Sequence, residues 1–299
     1  MNWKSLAWSA AAILLLLTLA TPLNFITLFL MMTPFVVLYT MLDLKSFVLH
    51  LIPVGIVVFL LSGGMGPMLV TLALFFLVPA IAMGHLYKRG NSARAAVTAG
   101  FVIVLAQLLL ELALFSALFD IDLRAELTAM LAENFKQLEA ANMFEAGWAA
   151  RAAEEFSRSI LSMLPMLLLV TTFLFTIITH GLSRLALRSV PFEAPALPQA
   201  KTWKLPRSMV LYFAIAIIAS YAVSEEAGGY WWIAIMNLIP ILQLVFTIQA
   251  IGFVFYISDL KKWPRVISLA LCLPILFIPY AFILGLLDTA FPLRKYFEK

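Results

Sequence analysis

The chain has 299 residues, of which 64% are hydrophobic and 12% are charged, against about 45–50% and about 25% in a soluble domain. This composition excludes a water-soluble fold, which has no way to bury so much apolar surface. The formal charge of +4 does not indicate a nucleic-acid partner, because lysines and arginines gather at the ends of hydrophobic runs, as determinants of membrane topology do.

Nine hydrophobic segments follow one another along the chain. They cover residues 5–20, 22–42, 46–62, 67–86, 95–119, 159–187, 209–223, 231–257 and 266–287. Stretches of about 20 apolar residues are long enough for an α-helix to cross a hydrocarbon core about 30 Å thick. Runs such as residues 11–19 lack the alternation of a membrane β-strand. We therefore predict an all-α membrane protein, a polytopic helical bundle of eight or nine transmembrane helices.

The distribution of charge predicts the orientation of these helices. With the N-terminus in the cytoplasm, most basic residues fall inside, as the positive-inside rule requires. The acidic residues Asp120, Asp122, Glu225 and Glu226 then fall outside. The tail, which contains Arg294, Lys295 and Lys299, breaks this pattern if nine segments cross, so the side of the C-terminus stays open.

Two stretches are too polar to lie within the membrane. Residues 120–158 place apolar side chains at helical spacing between charged ones, which predicts an extracytoplasmic amphipathic helical insert. This insert either caps the bundle at the membrane interface or covers an outward-facing cavity as a lid. Residues 190–206 contain four prolines and predict an extended cytoplasmic linker. We thus expect a six-helix membrane domain over 1–189, the linker 190–206, and two to three further spans over 207–299.

No catalytic signature is present. The sequence lacks GxSxG, HExxH, Walker and GxGxxG motifs, so we expect no enzymatic activity, no cofactor and no bound nucleotide. A single cysteine, Cys272, excludes a disulfide within the chain and a cysteine-based metal site. His50, His85 and His180 lie far apart near predicted cytoplasmic ends, where interfacial positions without a ligand role are expected.

Ionisable residues within a span are functional candidates, because a charge at mid-bilayer costs at least about 2.5 kcal/mol. Glu111 follows Gln107 by one helical turn, so the two share a face in the outer half of the fifth segment. They are predicted to line an outward-facing binding cavity, or else to form a helix–helix hydrogen bond with Glu111 protonated. Asn24 and the turn glycines Gly63 and Gly64 are further binding candidates. The glycines either form a plain hairpin turn or let backbone approach a ligand.

Ala7 and Ala11 form a small-xxx-small pair on the first segment. Such pairs let membrane helices pack closely, so this pair is a candidate for helix packing or for docking a partner.

Several motifs together resemble the YybS-like family of uncharacterised bacterial membrane proteins, over nearly the whole chain. They are the early segment with Pro34, the turn 63–67, the stretch 79–89, the long insert, and the closing stretch 286–295. The resemblance implies a multi-pass protein of the bacterial plasma membrane.

The first six segments also look like the substrate-binding (S) component of energy-coupling-factor transporters. That resemblance implies six helices, an outward pocket under loops, and small residues on the first helix that meet a transmembrane coupling subunit with its ATPases. Ala7 and Ala11 match the small-residue pattern, and Gln107 and Glu111 fall in the pocket half. The chain departs from that family in its additional helices and in the absence of a pocket motif for a known vitamin.

Two functions follow as the main hypotheses, and a membrane enzyme acting on lipid is a third, weakened by the lack of a paired acid and base or of metal ligands. In the first, the chain is a transport component that binds a small solute from outside. In the second, it is a non-catalytic scaffold that organises envelope proteins or lipids through the insert and the linker. Both place the chain in the lipid bilayer.

Overall fold

The structure is a computed structural model, and it describes residues 3–119, 122–141, 143–223 and 229–297. Asp120, Glu225, Glu226 and Lys299, which entered the prediction of orientation, lie outside the described residues.

The described ranges are helical and contain no strand, so the predicted all-α fold is confirmed. Their helices are α1 (Trp3–Thr18), α2 (Asn24–Leu30), α3 (Met32–Met41), α4 (Leu44–Leu61), α5 (Gly66–Lys88), α6 (Ala93–Phe119), α7 (Leu123–Ala140), α8 (Trp148–Ser162), α9 (Leu164–Leu187), α10 (Ser208–Ala222), α11 (Tyr230–Leu260), α12 (Arg265–Phe277), α13 (Phe282–Ala290) and α14 (Leu293–Phe297).

Six stretches of the described chain are long and apolar enough to cross a membrane. They are Asn24–Met41, Leu44–Leu61, Gly63–Lys88, Ala93–Phe115, Leu164–Leu187 and Tyr230–Leu260. Trp3–Thr18, Ser208–Ala222 and Val266–Ile275 are shorter apolar helices. The protein is therefore a multi-pass membrane protein. The count of eight or nine spans stays a prediction, because it depends on these shorter helices.

Prolines interrupt two of the hydrophobic segments. The segment 22–42 breaks after Leu30, because Pro34 has no N–H to donate to the Leu30 carbonyl and its ring crowds that oxygen. The segment 266–287 consists of two helices, α12 and α13, since Pro279 disfavours the helical conformation of Ile278, which is extended. The segment 159–187 also starts too early, because residues 159–162 complete α8.

The chain divides into two compact units. The N-terminal unit comprises Met1–Ile121 and Leu168–Leu197, and the C-terminal unit comprises Asp122–Leu167 and Pro198–Lys299. The amphipathic insert groups with the C-terminal helices, and the division into 1–189, 190–206 and 207–299 stays a prediction. The linker 190–206 is shared between the two units.

In the N-terminal unit, α5 packs against α3, α4 and α6, while α1 packs against α3 and α4. Leu16, Phe35, Val58 and Phe76 are among the side chains that fill its core. The Asp43 carboxylate caps α4 by accepting a hydrogen bond from the Ser46 N–H at 3.3 Å. Hydrogen bonds from the side chain and backbone of Ser46 hold the pKa of Asp43 below its ordinary value.

In the C-terminal unit, the long helix α11 packs against α10, α12 and α13. Phe213, Phe246 and Phe282 form its aromatic core, with ring centroids 5.6–5.7 Å apart around Phe213. Helix α13 meets the backbone of α11 directly at Gly285, where a Cβ atom would lie 1.8 Å from the Phe246 carbonyl oxygen. Glycine at this position therefore sets the distance between the two helices.

Helices α7 and α8 pack together and form the predicted amphipathic helices of the insert. We call residues 122–162 the α7–α8 hairpin. Its turn is closed by Glu139, whose carboxylate accepts hydrogen bonds from the N–H groups of Gly147 (2.8 Å) and Ala149 (2.9 Å). The bond from Ala149, followed by that from Gly147, lowers the pKa of Glu139. The Thr128 hydroxyl donates to Ser157 at 2.7 Å between the helices.

Candidate functional site

One face of α9 carries five buried polar side chains. They are Thr172, Thr176, Thr179, His180 and Ser183, each at most 3% exposed. Their spacing of three or four residues aligns them along the helix. We refer to these five residues as the α9 polar face. It belongs to the N-terminal unit.

Two aromatic contacts hold α9 against α2 and α5. The Phe175 ring stacks on Phe29 of α2, with centroids 4.6 Å apart, and lies 5.3 Å from Phe76 of α5. Nearer the end of α9, the Tyr87 hydroxyl and His180 Nδ1 form a buried hydrogen bond of 2.6 Å. This bond fixes the orientation of the imidazole ring within the unit.

Most hydroxyls of the α9 polar face have no hydrogen-bond partner in the described part of the chain. Thr176 is satisfied, since its Oγ1 donates to the carbonyls of Thr172 and Phe173 at 3.1 and 3.0 Å. The hydroxyl oxygens of Thr172, Thr179 and Ser183 are buried and unpartnered. Lipid tails supply no partner for such groups, so the face retains unused capacity to donate and accept hydrogen bonds.

Buried polar atoms without a hydrogen-bond partner also occur elsewhere in the N-terminal unit. Of the eight buried side-chain polar atoms without a partner among the described residues, seven belong to this unit. Besides the three on the α9 polar face, they are Ser9 Oγ, Thr33 Oγ1, Gln107 Oε1 and Arg184 Nε. An unpartnered buried polar group costs about 1–3 kcal/mol. Their concentration in one unit therefore marks its interior as the candidate site.

The structure gives the predicted pair on α6 different environments. Gln107 is half-buried, and its Nε2 donates to the Phe75 carbonyl of α5 at 3.0 Å, while its Oε1 is one of the unpartnered buried atoms. Glu111, one turn later, is exposed on the surface of the described chain. Whether the two line a common cavity stays a prediction.

The remaining binding candidates lie at turns of the N-terminal unit. Asn24 begins α2 and is exposed. Gly63 and Gly64 are also exposed, in the 3-10 turn between α4 and α5, where Gly63 adopts a φ of +56°. Among the described residues, no hydrogen bond or ion pair joins Asn24, Gly63 or Gly64 to Gln107 or Glu111.

Helix α1 has a buried side and a more accessible side. Ser5, Ser9, Ala12 and Leu16 are buried within the unit, and the Ser5 hydroxyl bonds His50 Nε2 at 3.0 Å. Ala7 is exposed and Ala11 is half-buried. The internal packing of α1 therefore uses the spacing of Ser5 and Ser9, which leaves the Ala7–Ala11 side of the helix accessible.

The interfacial position of the three histidines, without a ligand role, stays a prediction. His50 and His180 are buried, and each has a hydrogen-bond partner inside the unit. The α9 polar face also went unrecognised in the sequence, although polar residues at helical spacing in an apolar segment are a detectable signal. In the described ranges, no three His, Cys, Asp or Glu side chains come together as metal ligands would.

The C-terminal unit has a different kind of polar interior. Asp288 of α13 is buried, and it binds Arg294 through a 2.8 Å ion pair and accepts a hydrogen bond from Gln249 of α11 at 2.6 Å. Arg294 also donates to the carbonyls of Lys201 and Trp203 at 2.8 and 2.6 Å. These bonds give both charged groups polar partners. They also attach residues Lys201 and Trp203 of the linker to α11, α13 and α14.

Comparisons with known proteins agree with the membrane fold. Residues 9–289 match the family described as "Predicted membrane protein (DUF2232)". The chain is similar to "Uncharacterized protein YybS" of Bacillus subtilis (strain 168), with 23% identity over 227 residues that cover 72% of each chain. No solved structure matches it. The resemblance to S components stays a prediction. Because the family match spans most of the sequence, the chain belongs to the DUF2232 membrane-protein family, and its predicted YybS-like relationship is confirmed.

Proposed function

We propose that the N-terminal unit binds a small polar solute inside the bilayer, as the non-catalytic binding component of a transport system. The observation that carries this proposal is the set of six neutral buried polar atoms in that unit that have no hydrogen-bond partner among the described residues, on Ser9, Thr33, Gln107, Thr172, Thr179 and Ser183. A purely structural bundle has no use for so many unsatisfied groups, since each destabilises it. Water or a hydroxyl-rich or amide-bearing solute would satisfy them.

The donors and acceptors define the chemistry of this solute. Thr172, Thr179 and Ser183 offer hydroxyls, which both donate and accept, and Gln107 offers a carbonyl oxygen. All four groups are neutral. The site therefore suits an uncharged or zwitterionic polar molecule, and Glu111, which is exposed on the same face of α6, would lie at its entrance.

Transport requires a source of energy that this chain would obtain from a partner. The exposed side of α1 with Ala7 and Ala11 is the proposed contact for a transmembrane coupling subunit that carries ATPases. We place the chain in the bacterial plasma membrane with its N-terminus in the cytoplasm, because that orientation puts most lysines and arginines on the cytoplasmic side.

Cysteine accessibility tests whether the interior is open to water. Replacing Cys272, the single cysteine, by serine gives a background for Thr172→Cys and Thr179→Cys, each a small change at a buried position. A membrane-impermeant maleimide should label both cysteines, since it reacts only with thiolates in contact with water. Pools of amino acids, sugars, nucleosides and water-soluble vitamins should then be screened for protection against labelling.

Leu174→Cys is the matched control, because Leu174 lies on the same helix with 41% of its surface exposed away from the core. It should remain unlabelled in lipid. Equal reactivity of Thr172→Cys, Thr179→Cys and Leu174→Cys would contradict the proposal, as would labelling that no solute pool slows.

The α7–α8 hairpin favours a scaffold as the second candidate function. Its surface exposes Met130, Met143, Phe144 and Phe156, each by 43% or more. Such apolar groups on a helical pair suit contact with envelope proteins or lipid headgroups. Cross-linking from Met143→Cys in cells distinguishes the two: recovery of ATPases and a coupling subunit supports transport, and recovery of envelope-synthesis proteins supports the scaffold.

A further inference from the structure

A cavity lies where α9 ends, and none of the five residues of the α9 polar face lines it. Its volume is about 670 Å³, within the range of about 300–1,000 Å³ typical of small-molecule sites. The last turns of α9 contribute Arg184 and Arg188, and the chain that follows contributes residues 190–194. We call this the α9-end cavity. All of its lining residues belong to the N-terminal unit.

Within the described part of the chain, no ion pair neutralises the charges of the cavity. Arg184 Nε is buried and has no hydrogen-bond partner among the described residues. Glu193 also lines the cavity, yet it forms no ion pair with Arg184 or Arg188 in the described chain. The cavity therefore has a net positive charge and a buried donor without an acceptor.

The cavity wall is held in place by packing. Val190, Phe192 and Ala194 pack against the hydrophobic core of the unit. The Lys4 ammonium donates to the Ser189 carbonyl, which ties the start of α1 to the residue just before the wall. The cavity thus combines two guanidinium groups with an apolar wall that is fixed to the core.

We propose that the α9-end cavity binds a phosphate group carried by an amphiphilic or small organic anion. Guanidinium forks match phosphate oxygens in bidentate geometry, and Val190 and Phe192 can contact the carbon part of such a molecule. The cavity lies at the end of a membrane-spanning helix among basic residues, where pockets for anionic phospholipid headgroups occur. A soluble phosphate compound offers the same chemistry.

A simpler role for Arg184 and Arg188 is to complement the negative end of the α9 dipole. That role needs no anion, and it does not explain the buried donor without an acceptor. The two roles differ in their response to phosphate, which gives the test.

The experiment uses the full chain in nanodiscs and measures the midpoint of thermal unfolding. One arm titrates inorganic phosphate into phosphatidylcholine nanodiscs, with chloride at matched ionic strength as reference. The other arm adds phosphatidylglycerol to the nanodisc lipids. A bound anion raises the midpoint by mass action. A rise with phosphatidylglycerol alone identifies a lipid headgroup, and a rise with inorganic phosphate identifies a soluble source.

Four variants test the assignment of residues. Arg184→Gln and Arg188→Gln should each weaken apparent anion affinity by about tenfold or more, since each removes a charge-assisted hydrogen bond. Arg89→Gln removes the same charge at an exposed position that does not line the cavity and should leave affinity unchanged. Glu193→Gln should tighten binding by removing a repulsive carboxylate.

The proposal is overturned if neither anion raises the midpoint of the unmodified chain. It is also overturned if Arg89→Gln weakens binding as much as Arg184→Gln does, because general surface charge then accounts for the effect. If the arginine variants fail to fold, Glu193→Gln still tests the proposal. Anion binding by this variant that is unchanged or weaker than in the unmodified chain contradicts a phosphate group in the cavity. None of these outcomes depends on the α9 polar face.

Discussion

Replacing Arg294 with methionine should destabilise the C-terminal unit severely. The guanidinium is 13% exposed and lies against the Asp288 carboxylate, which is 1% exposed. After the replacement, Asp288 would keep one charge-neutral partner, the Gln249 amide. The Lys201 carbonyl would lose its hydrogen bond from Arg294, and the Trp203 carbonyl would keep only a 3.4 Å contact with Gln249.

These losses set the expected magnitude. Removing one partner of a buried ion pair costs about 3–5 kcal/mol, because the other charge is left uncompensated. Asp288→Asn should cost less, about 1–3 kcal/mol, because Arg294 would retain two carbonyl partners and some contact with solvent. The double variant should fall short of the sum of the single effects by about 1–3 kcal/mol, as expected for residues in contact.

Two measurements check that Arg294→Met destabilises the protein more than Asp288→Asn does. Equilibrium unfolding in mixed micelles, followed by tryptophan fluorescence, gives the free energy of unfolding for each variant. Trypsin cleavage after Lys201 and Lys204 reports release of the linker, and it should accelerate in Arg294→Met. Arg207→Met removes an exposed arginine near the same linker and should change stability by less than about 0.5 kcal/mol. The reasoning is refuted if Arg294→Met behaves like Arg207→Met, or if Asp288→Asn proves the more damaging change.

Three further predictions concern other contacts. Gly285→Ala should lower the free energy of unfolding by more than about 3 kcal/mol, above the usual cost of overpacking, because its Cβ would meet the Phe246 carbonyl of α11 rather than a movable side chain. Tyr87→Phe should cost about 1–3 kcal/mol in the same unfolding assay, because it leaves His180 Nδ1 buried without its partner. Because the pKa of Glu139 is lowered in the folded state, its stabilisation of the α7–α8 hairpin is complete above its ordinary pKa of about 4.3 and is lost as the pH falls through the folded value. Amide protection factors in the α7–α8 turn should therefore decrease on acidification, and Glu139→Gln should abolish that dependence.

Hydropathy predicted where helices form, but it does not predict which prolines interrupt a helix. Pro53, Pro79 and Pro240 lie inside unbroken helices, whereas Pro34 and Pro279 accompany breaks. The difference depends on whether packing against neighbouring helices and local adjustments re-satisfy the carbonyl that a proline leaves free. That information belongs to the packed bundle, so a single sequence does not contain it.

The candidate site was only partly predictable for a similar reason. Glu111 and Gln107 were found because a carboxylate or an amide in an apolar run is conspicuous. The threonines of the α9 polar face were missed, because a hydroxyl in a membrane helix usually bonds a carbonyl one turn back, as Thr176 does. In the described chain Thr172 and Thr179 form no such bond, which their positions in the sequence do not indicate. The pairing of Asp288 with Arg294 was likewise hidden, since the intervening chain leaves the helix after Ala290.

The two units use buried polar groups in opposite ways, and this contrast bears on function. In the C-terminal unit, Asp288, Arg294 and Gln249 form a network in which the charges have several partners each. Such a network rigidifies the unit, because it is stable only in one arrangement. Among the described residues, the N-terminal unit leaves Thr172, Thr179 and other buried polar atoms without a hydrogen-bond partner. A bound ligand would satisfy such groups. The proposed binding site therefore lies in the N-terminal unit, and mutations that disrupt the C-terminal network should impair stability before they impair solute affinity.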